Sequence, residues 1–350
     1  MASICPPVVK VINPISVYPF PNFKAEQTKS YELGTNLRLF NNKINIDATV
    51  YLTDTYNQTF LSSMSPASGY SGFYVQAGKV RNKGIELSLG YNDRFGKVGY
   101  ATNLTYTANR NKIMKMVHDY KNPSDGSLFS ITELTLQDKG GVYLREKDAI
   151  GDVYVKGILA RGKDGKLIEE EGGYKVDRSQ RIKIGSVNPD FSIGWRHNVT
   201  WNNITLDLLF NGRFGGIVTS STQAFLDDYG VSKDTYKARQ NGGVWVNGTQ
   251  YDAEKYYTTI GGEQLMAYYA YKATNIRLQE ASLSYTLPGK WFGNVINRLT
   301  VSAIGRNLWM IYNKAPFDPE MTSSTGTYNR GDVFMPPSFC LLYTSDAADE

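Results

Sequence analysis

The sequence predicts an all-β protein, a partial antiparallel transmembrane β-barrel whose strands follow one another up and down. Three observations predict it. Several stretches alternate apolar and polar residues with period two. The connections between them are by turns short and long. The polar side of the alternation is built from Asn, Thr, Ser, Gly and Arg, residues suited to a wet lumen.

The first hairpin starts at Tyr31-Glu32-Leu33-Gly34-Thr35-Asn36-Leu37-Arg38-Leu39, apolar mostly at odd positions. After Asn41-Asn42-Lys43 it returns with Ile44, Ile46, Ala48, Val50 and Leu52 on one face. A two-stranded ribbon with a tight turn follows from that pattern. The second hairpin carries Ile85, Leu87, Leu89 and Tyr91, turns near Phe95-Gly96-Lys97, and returns with Val98, Tyr100, Thr102, Leu104 and Tyr106. The third has Phe191, Ile193, Trp195, Val199 and Trp201, turns at Asn202-Asn203, and returns with Ile204, Leu206, Leu208 and Phe210. The fourth runs through Ile276 and Leu278, slips phase near Glu280 as at a β-bulge, and resumes at Leu283, Tyr285 and Leu287. Its turn spans Pro288 to Asn297, and Leu299, Val301 and Ala303 lead on to Trp309.

Long loops are expected at about 53–82, 109–188, 215–274 and from 313 onward. In a meander every second connection lies at the same end of the sheet. All the turns therefore fall at one end and all the long loops at the other, the habit of outer-membrane barrels with short periplasmic turns and long extracellular loops. Aromatics near strand ends, such as Tyr31, Tyr106, Trp201 and Trp309, suit interfacial girdles. The competing architecture, a soluble sandwich with its apolar face turned inward, fits neither this loop asymmetry nor the uniformly polar second face, and crossover signals are absent.

Composition narrows the functional classes. Tyr contributes 25 residues, and it recurs with Thr and Asn wherever the chain looks extended, which favours pleated surfaces. The net charge of +5 is scattered, without a dense Lys/Arg run, which argues against nucleic acid. Cys5 and Cys340 stand near opposite ends and make no disulfide framework. With His118 and His197 as the other soft ligands, no zinc site and no cofactor are expected. Mean hydropathy is −0.37 and no apolar run reaches the length of a membrane helix, which leaves strands as the route across a bilayer. Met1 to Lys10 lacks a basic segment followed by an apolar one, so no signal peptide is read there, and an exported chain without one suggests a fragment.

The stretch Lys24-Ala25-Glu26-Gln27-Thr28-Lys29-Ser30-Tyr31-Glu32-Leu33-Gly34, with Leu39-Phe40-Asn41-Asn42-Lys43, resembles the barrel of the SusC/RagA family of TonB-linked transporters of Bacteroidota. So does Val80-Arg81-Asn82-Lys83-Gly84-Ile85-Glu86-Leu87. Asn188-Pro189-Asp190-Phe191, Asn211-Gly212-Arg213-Phe214-Gly215-Gly216, Arg277-Leu278, Ser284-Tyr285-Thr286-Leu287-Pro288, Gly305-Arg306-Asn307-Leu308-Trp309 and Phe317-Asp318-Pro319-Glu320 continue the series in order. The resemblance implies a TonB-dependent receptor of the outer membrane, a roughly 22-stranded barrel closed by an N-terminal plug. It implies import of glycans or peptides, energised through the TonB-ExbB-ExbD complex, under a SusD-like surface lipoprotein that serves as lid. On that reading the chain lacks the plug, the TonB box and the first barrel strands. Residues 1–18 match the family poorly, 19–339 form the barrel section, and 340–350 break the expected terminal strand and are expected to be a non-native tail.

Candidate functional residues follow. Gly84 is expected to permit a tight strand entry before Glu86, and Gly215-Gly216 to let the chain leave the sheet. Glu86 and Arg213 are expected on the lumen side, facing the lumen or plug, the other possibility being a lumen salt bridge or plug contact with no transport role. The loop at 215–274 is rich in Tyr and Trp, whose faces stack on sugar rings and whose polar tips hydrogen-bond. Trp245, Tyr251, Tyr256 and Tyr257 are its candidate contacts with substrate or lid, the other possibility being that the loop packs on itself or docks on a neighbouring loop. No nucleophile–base pair is recognisable, so no enzyme is expected. Gly162-Lys163-Asp164-Gly165 reads as a turn between Tyr154-Val155 and Leu167-Ile168, not as a phosphate loop. Two further classes stay open: a soluble or surface-exposed β-rich carbohydrate-binding protein, and a glycoside hydrolase, which would need a pair of carboxylates across a cleft.

Overall fold

The computed structural model describes residues 17–18, 24–63, 70, 72–121, 126, 128–136, 142–292, 298–322 and 340–348. Nine strands of the main sheet follow one another in chain order: β1 (Gln27–Leu39), β2 (Ile44–Ser63), β3 (Gly72–Phe95), β4 (Val98–Lys115), β5 (Phe191–Trp201), β6 (Ile204–Phe214), β7 (Asn275–Leu287), β8 (Arg298–Asn313) and β9 (Cys340–Ala348). Each is hydrogen-bonded to the next, leaving β1 and β9 with one meander neighbour each. From β4 to β9 each strand pairs antiparallel with the next. No helix of the described residues is long and apolar enough to cross a membrane. The shortest of these strands that crosses from turn to loop, at 11 residues, covers roughly 28 Å at a tilt of about 40°, enough for the apolar band of a bilayer.

The turns form where the side chains permit. Between β1 and β2 the chain takes positive φ at Phe40, Asn41 and Asn42 in succession, and Asn tolerates that region best among non-glycine residues. The β5–β6 turn uses Asn202 the same way. The phase slip in β7 is real: Leu278 faces Phe210 and Glu280 faces Leu209, so Gln279 is the extra residue of a bulge.

Gly84 does not lie at a strand entry as expected. It is inside β3, beneath the Tyr51 ring, and a Cβ there would also meet the Ala108 carbonyl oxygen at 2.6 Å. The glycine is required by this close approach and not by a turn. Gly215 and Gly216 do take positive φ as the chain leaves β6.

The expected loop at 53–82 is mostly strand, because β2 runs on to Ser63 and β3 begins at Gly72. Past Leu52 polar residues (Thr53, Asp54, Thr55, Asn57, Gln58, Thr59) fill most positions of both faces and apolar ones no longer recur with period two, so the alternation that signals a strand disappears while backbone pairing continues. Nor do Tyr154 and Val155 pair with Leu167 and Ile168. They face Lys183 and Ile182, while Arg161 bridges Leu167 across the Gly162–Gly165 turn. Residues 340–348, within the stretch read as departing from the family's terminal strand, pair along β8, from Cys340 opposite Arg306 to Ala348 opposite Arg298, since ladder bonds require only backbone groups.

The chain divides into two compact units. One comprises 1–29, 54–81 and 112–148, the other 30–53, 82–111 and 149–350. The first buries Phe60, Val80, Ile113, Met116, Leu134, Leu136 and Leu144. Glu146 stitches it, accepting from the Met116 amide at 3.0 Å with His118 Nε2 at 2.5 Å.

In the second unit the long connections are not bare loops. Residues 215–274 hold three helices: α1 (Ser221–Asp228), α2 (Lys233–Gln240) and α3 (Ala253–Gly262). Each starts on a capping side chain, Ser220, Ser232 and Asp252, that accepts from an amide in the first turn. Leu159, Leu167 and Tyr174 from the preceding long connection join Ala224, Tyr251, Tyr256, Ile260, Leu265 and Tyr269 in one core. A Cβ on Gly261 would lie 2.5 Å from the Ala224 carbonyl oxygen, so α3 needs glycine to approach α1.

Candidate functional site

The two faces of the sheet differ in chemistry. On one face Leu104, Trp195 and Phe210 lie side by side, as do Tyr100, Val199 and Leu206. Among the described residues this face is left open: Leu33, Leu37, Val50, Ile85, Leu89, Trp195, Trp201, Leu206, Leu283 and Trp309 are all exposed large apolar side chains. Its few polar groups pair with each other. Tyr100 Oη lies 2.9 Å from His197 Nδ1, and Trp195 Nε1 donates to Thr102 at 3.0 Å. A soluble sandwich would bury this face. A bilayer requires it bare, with its polar atoms satisfied internally.

The opposite face carries a ladder of polar groups. Asn36 donates to Asp47 at 2.9 Å, and Ser88 to Asn103 at 3.1 Å. Arg196, opposite Asn103, donates through Nε to both oxygens of Asp207 at 3.0 and 2.9 Å, and Asn198 adds a third bond at 3.2 Å. Arg306 donates to Glu280 at 2.8 Å. Asn36, Arg38, Asp47, Asn92, Asn103, Arg196, Asn198 and Asp207 line a cavity of about 510 Å³. Asp207 is nearly buried, but the Arg196 side chain keeps 58% of its surface exposed, so the wall is wet. This face can solvate a polar solute and hold fixed charges at little cost.

At the loop end of β7 lies a buried ion pair whose two halves belong to different sequence motifs. Arg277 donates to both oxygens of Asp318, at 3.0 and 2.6 Å, with each side chain 4% exposed. Asn275 Oδ1 accepts from the same guanidinium, Glu320 lies 3.4 Å away, and the Glu320 amide donates to Asp318. This clasp returns the chain after β8 to the sheet.

The family model for the TonB-dependent receptor-like β-barrel matches residues 10–208, more than half of the chain. The chain belongs to the TonB-dependent receptor β-barrel family. It is 24% identical over 321 residues to TonB-dependent receptor P3 of Formosa agariphila, covering 85% of this chain and 31% of that protein. With TonB-dependent receptor P26 of the same organism it shares 21% over 314 residues, 86% of this chain and 32% of the relative. The chain thus spans about a third of the length of the curated relatives it matches. Among solved structures, the RagAB peptide transporter aligns with a TM-score of 0.62 at 19% identity, over 91% of this chain and 35% of that one. The RagAB peptide importer in its open-open state gives 0.60 at 20% identity, over 91% and 34%. These likenesses establish the fold.

Within this receptor barrel, Glu86 stands exposed on β3 in phase with Ser88 on the polar face. Arg213 shares that face, opposite Ser192 and Asn275, and donates to the Val187 carbonyl, while its buried Nε has no partner among the described residues. The four aromatic candidates separate. Trp245 is 63% exposed, on a hairpin turned by Asn247 and Gly248, both at positive φ. Tyr251 and Tyr256 are buried in the module's core, and Tyr251 Oη accepts from the Leu167 amide at 3.0 Å. Tyr257 is half-buried beside them, edge-on to Tyr256. Burial pushes the Tyr256 and Tyr257 hydroxyls up to about 12, so both stay neutral in ordinary conditions.

Sequence reasoning missed the Arg277–Asp318 clasp and the helices. Both motifs of the clasp were visible, but nothing local links positions 41 residues apart. The helices did carry a signal, Ser232 before Lys233-Asp234 and Asp252 before Ala253-Glu254, the order of a helix N-terminus. Of the two histidines, His118 meets Glu146, and His197 lies on the bare face against the Tyr100 hydroxyl.

Proposed function

We propose that this chain is part of a SusC-like outer-membrane importer, the barrel wall through which a TonB-dependent receptor takes up nutrients. One observation carries the reading: the same strands present a bare apolar face on one side and a wet, charged wall on the other. The apolar face meets lipid, and the polar face lines the lumen, with Glu86 and Arg213 turned toward a plug. Energy comes from the TonB-ExbB-ExbD complex acting on that plug, and no residue performs covalent chemistry. Residues 19–339 form the barrel section, 1–18 lie before it, and 340–350 are a non-native extension.

The helical module between β6 and β7 stands at the extracellular end, where a SusD-like lipoprotein closes over glycan or peptide cargo. Tyr251 and Tyr256 serve by holding the module together, with Tyr257 beside them. Of these four candidates, Trp245 is the one exposed to touch cargo or lid. Trp245→Ala in the intact importer is expected to weaken substrate affinity about tenfold, the value of a lost stacking contact of roughly 1.5 kcal/mol. Uptake of labelled oligosaccharide or peptide by whole cells measures it. Unchanged affinity for every substrate taken up would remove Trp245 from the site. A protein found in the soluble fraction would sink the importer reading itself.

A further inference from the structure

Toward the loop end of β2 the apolar residues give way to charged ones. Two residues beyond Leu52, in the same phase of β2, comes Asp54, and two further comes Tyr56. Asp54 is 5% exposed because cations cover it. Arg81 donates to both its oxygens at 2.7 and 2.8 Å, and Lys79 Nζ lies 2.7 Å from Oδ2. Lys79 also sits over the Tyr56 ring, 5.1 Å from its centroid, and Lys29 lies over the same ring at 5.7 Å. Two cations thus hold one carboxylate, and a third, Lys29, shares the Tyr56 ring with Lys79 and has no carboxylate partner among the described residues. The unmatched positive charge lies on the lipid side of the strands, where lumen and cargo cannot use it.

We propose that Lys29, Lys79 and Arg81 bind the phosphate groups of an anionic glycolipid in the outer leaflet, with Tyr56 as the platform that holds the two lysines. The proposal rests on the membrane reading above, which puts the loop end of the strands outside the cell. Three features fit this occupant. The cations start where the apolar residues stop, at headgroup depth. Their apolar stems can lie along the strands while the charged ends reach phosphate. Asp54 fixes Arg81 and half-engages Lys79, which preorganises the cluster without neutralising it.

The test uses the intact importer and the variant Lys29→Gln/Lys79→Gln, which keeps the Arg81–Asp54 pair. Both are extracted in mild detergent, washed, and the retained lipopolysaccharide is measured by native mass spectrometry. Each lysine near a membrane surface contributes about fivefold to anionic-lipid affinity, so retention is expected to fall roughly tenfold or more in the variant. Lipopolysaccharide stripped of its phosphates is expected to bind parent and variant alike. Equal retention by parent and variant would overturn the proposal, as would undiminished binding of the dephosphorylated lipid by the parent. Protection of this cluster from hydrogen exchange by inorganic phosphate alone, matching that by the lipid, would assign it to a soluble anion and also overturn it. Heat-modifiable migration in gels reports barrel integrity separately. Its absence from the parent takes down the membrane reading with this one, while its presence beside unchanged retention removes this proposal alone.

Discussion

Arg277 and Asp318 are the residues on which the loop end of β7 turns. Both are almost fully buried, and a buried charge without its partner costs about 3–5 kcal/mol. Asp318→Ala is therefore expected to destabilise the barrel by about that amount, read as a lower temperature for loss of heat-modifiable migration. Replacing both partners, Arg277→Met with Asp318→Leu, is expected to recover most of the loss, because no unpaired charge remains. A double variant as unstable as Asp318→Ala would show that the clasp acts through its geometry and not through charge pairing. The same scale explains the two glycines that matter most. Gly84 lies under Tyr51 and Gly261 against α1, and neither space was visible from its own neighbours in sequence.

Among the elements, the hairpins were legible and the loop module was not. A strand with one bare and one wet face has to alternate, so period two exposes it directly, including the slip at Gln279 where the bulge shifts the phase. The outer parts of β2 and β3 were lost to the sequence reading because their apolar residues, such as Phe60 and Val80, do not recur with period two. The helices were lost because their apolar residues serve a small shared core, and α2 in particular buries only Thr235 and Ala238. That core has a pH-sensitive member. Asp227 in α1 is 4% exposed, and burial raises its carboxyl above the ordinary range although Gln223 donates to it at 2.9 Å. An acid with a raised folded pKa contributes stability that is present below its unfolded pKa and is lost as pH rises through the folded one. The module is thus expected to be held more tightly in mild acid and to loosen as pH climbs above the carboxylate range. Limited proteolysis between α1 and α3 across a pH series measures this, and Asp227→Asn is expected to flatten the profile. A parent profile that is already flat would rule the effect out.

For the molecule as a whole, the difference between the faces sets what each will tolerate. Leu206 lies on the bare face and Thr205 on the wet one, one residue apart on β6. Leu206→Lys is expected to cost about 2–4 kcal/mol in the bilayer interior. Thr205→Lys is expected to be nearly neutral, since its ammonium reaches water. Recovery of each variant in the outer-membrane fraction compares them, and equal recovery would mean that lipid does not contact this face.

The sequence by itself determined the alternating strands, their turns and the end of the sheet at which the long connections gather. It also determined which face is apolar, because a strand's side chains point by parity alone. Only the tertiary structure decided that Tyr251 and Tyr256 pack inward while Trp245 stays exposed, that Arg277 meets Asp318, and that Lys29 and Lys79 share the Tyr56 ring. Those pairings join residues far apart along the chain, and no periodicity records which distant segment a side chain will meet.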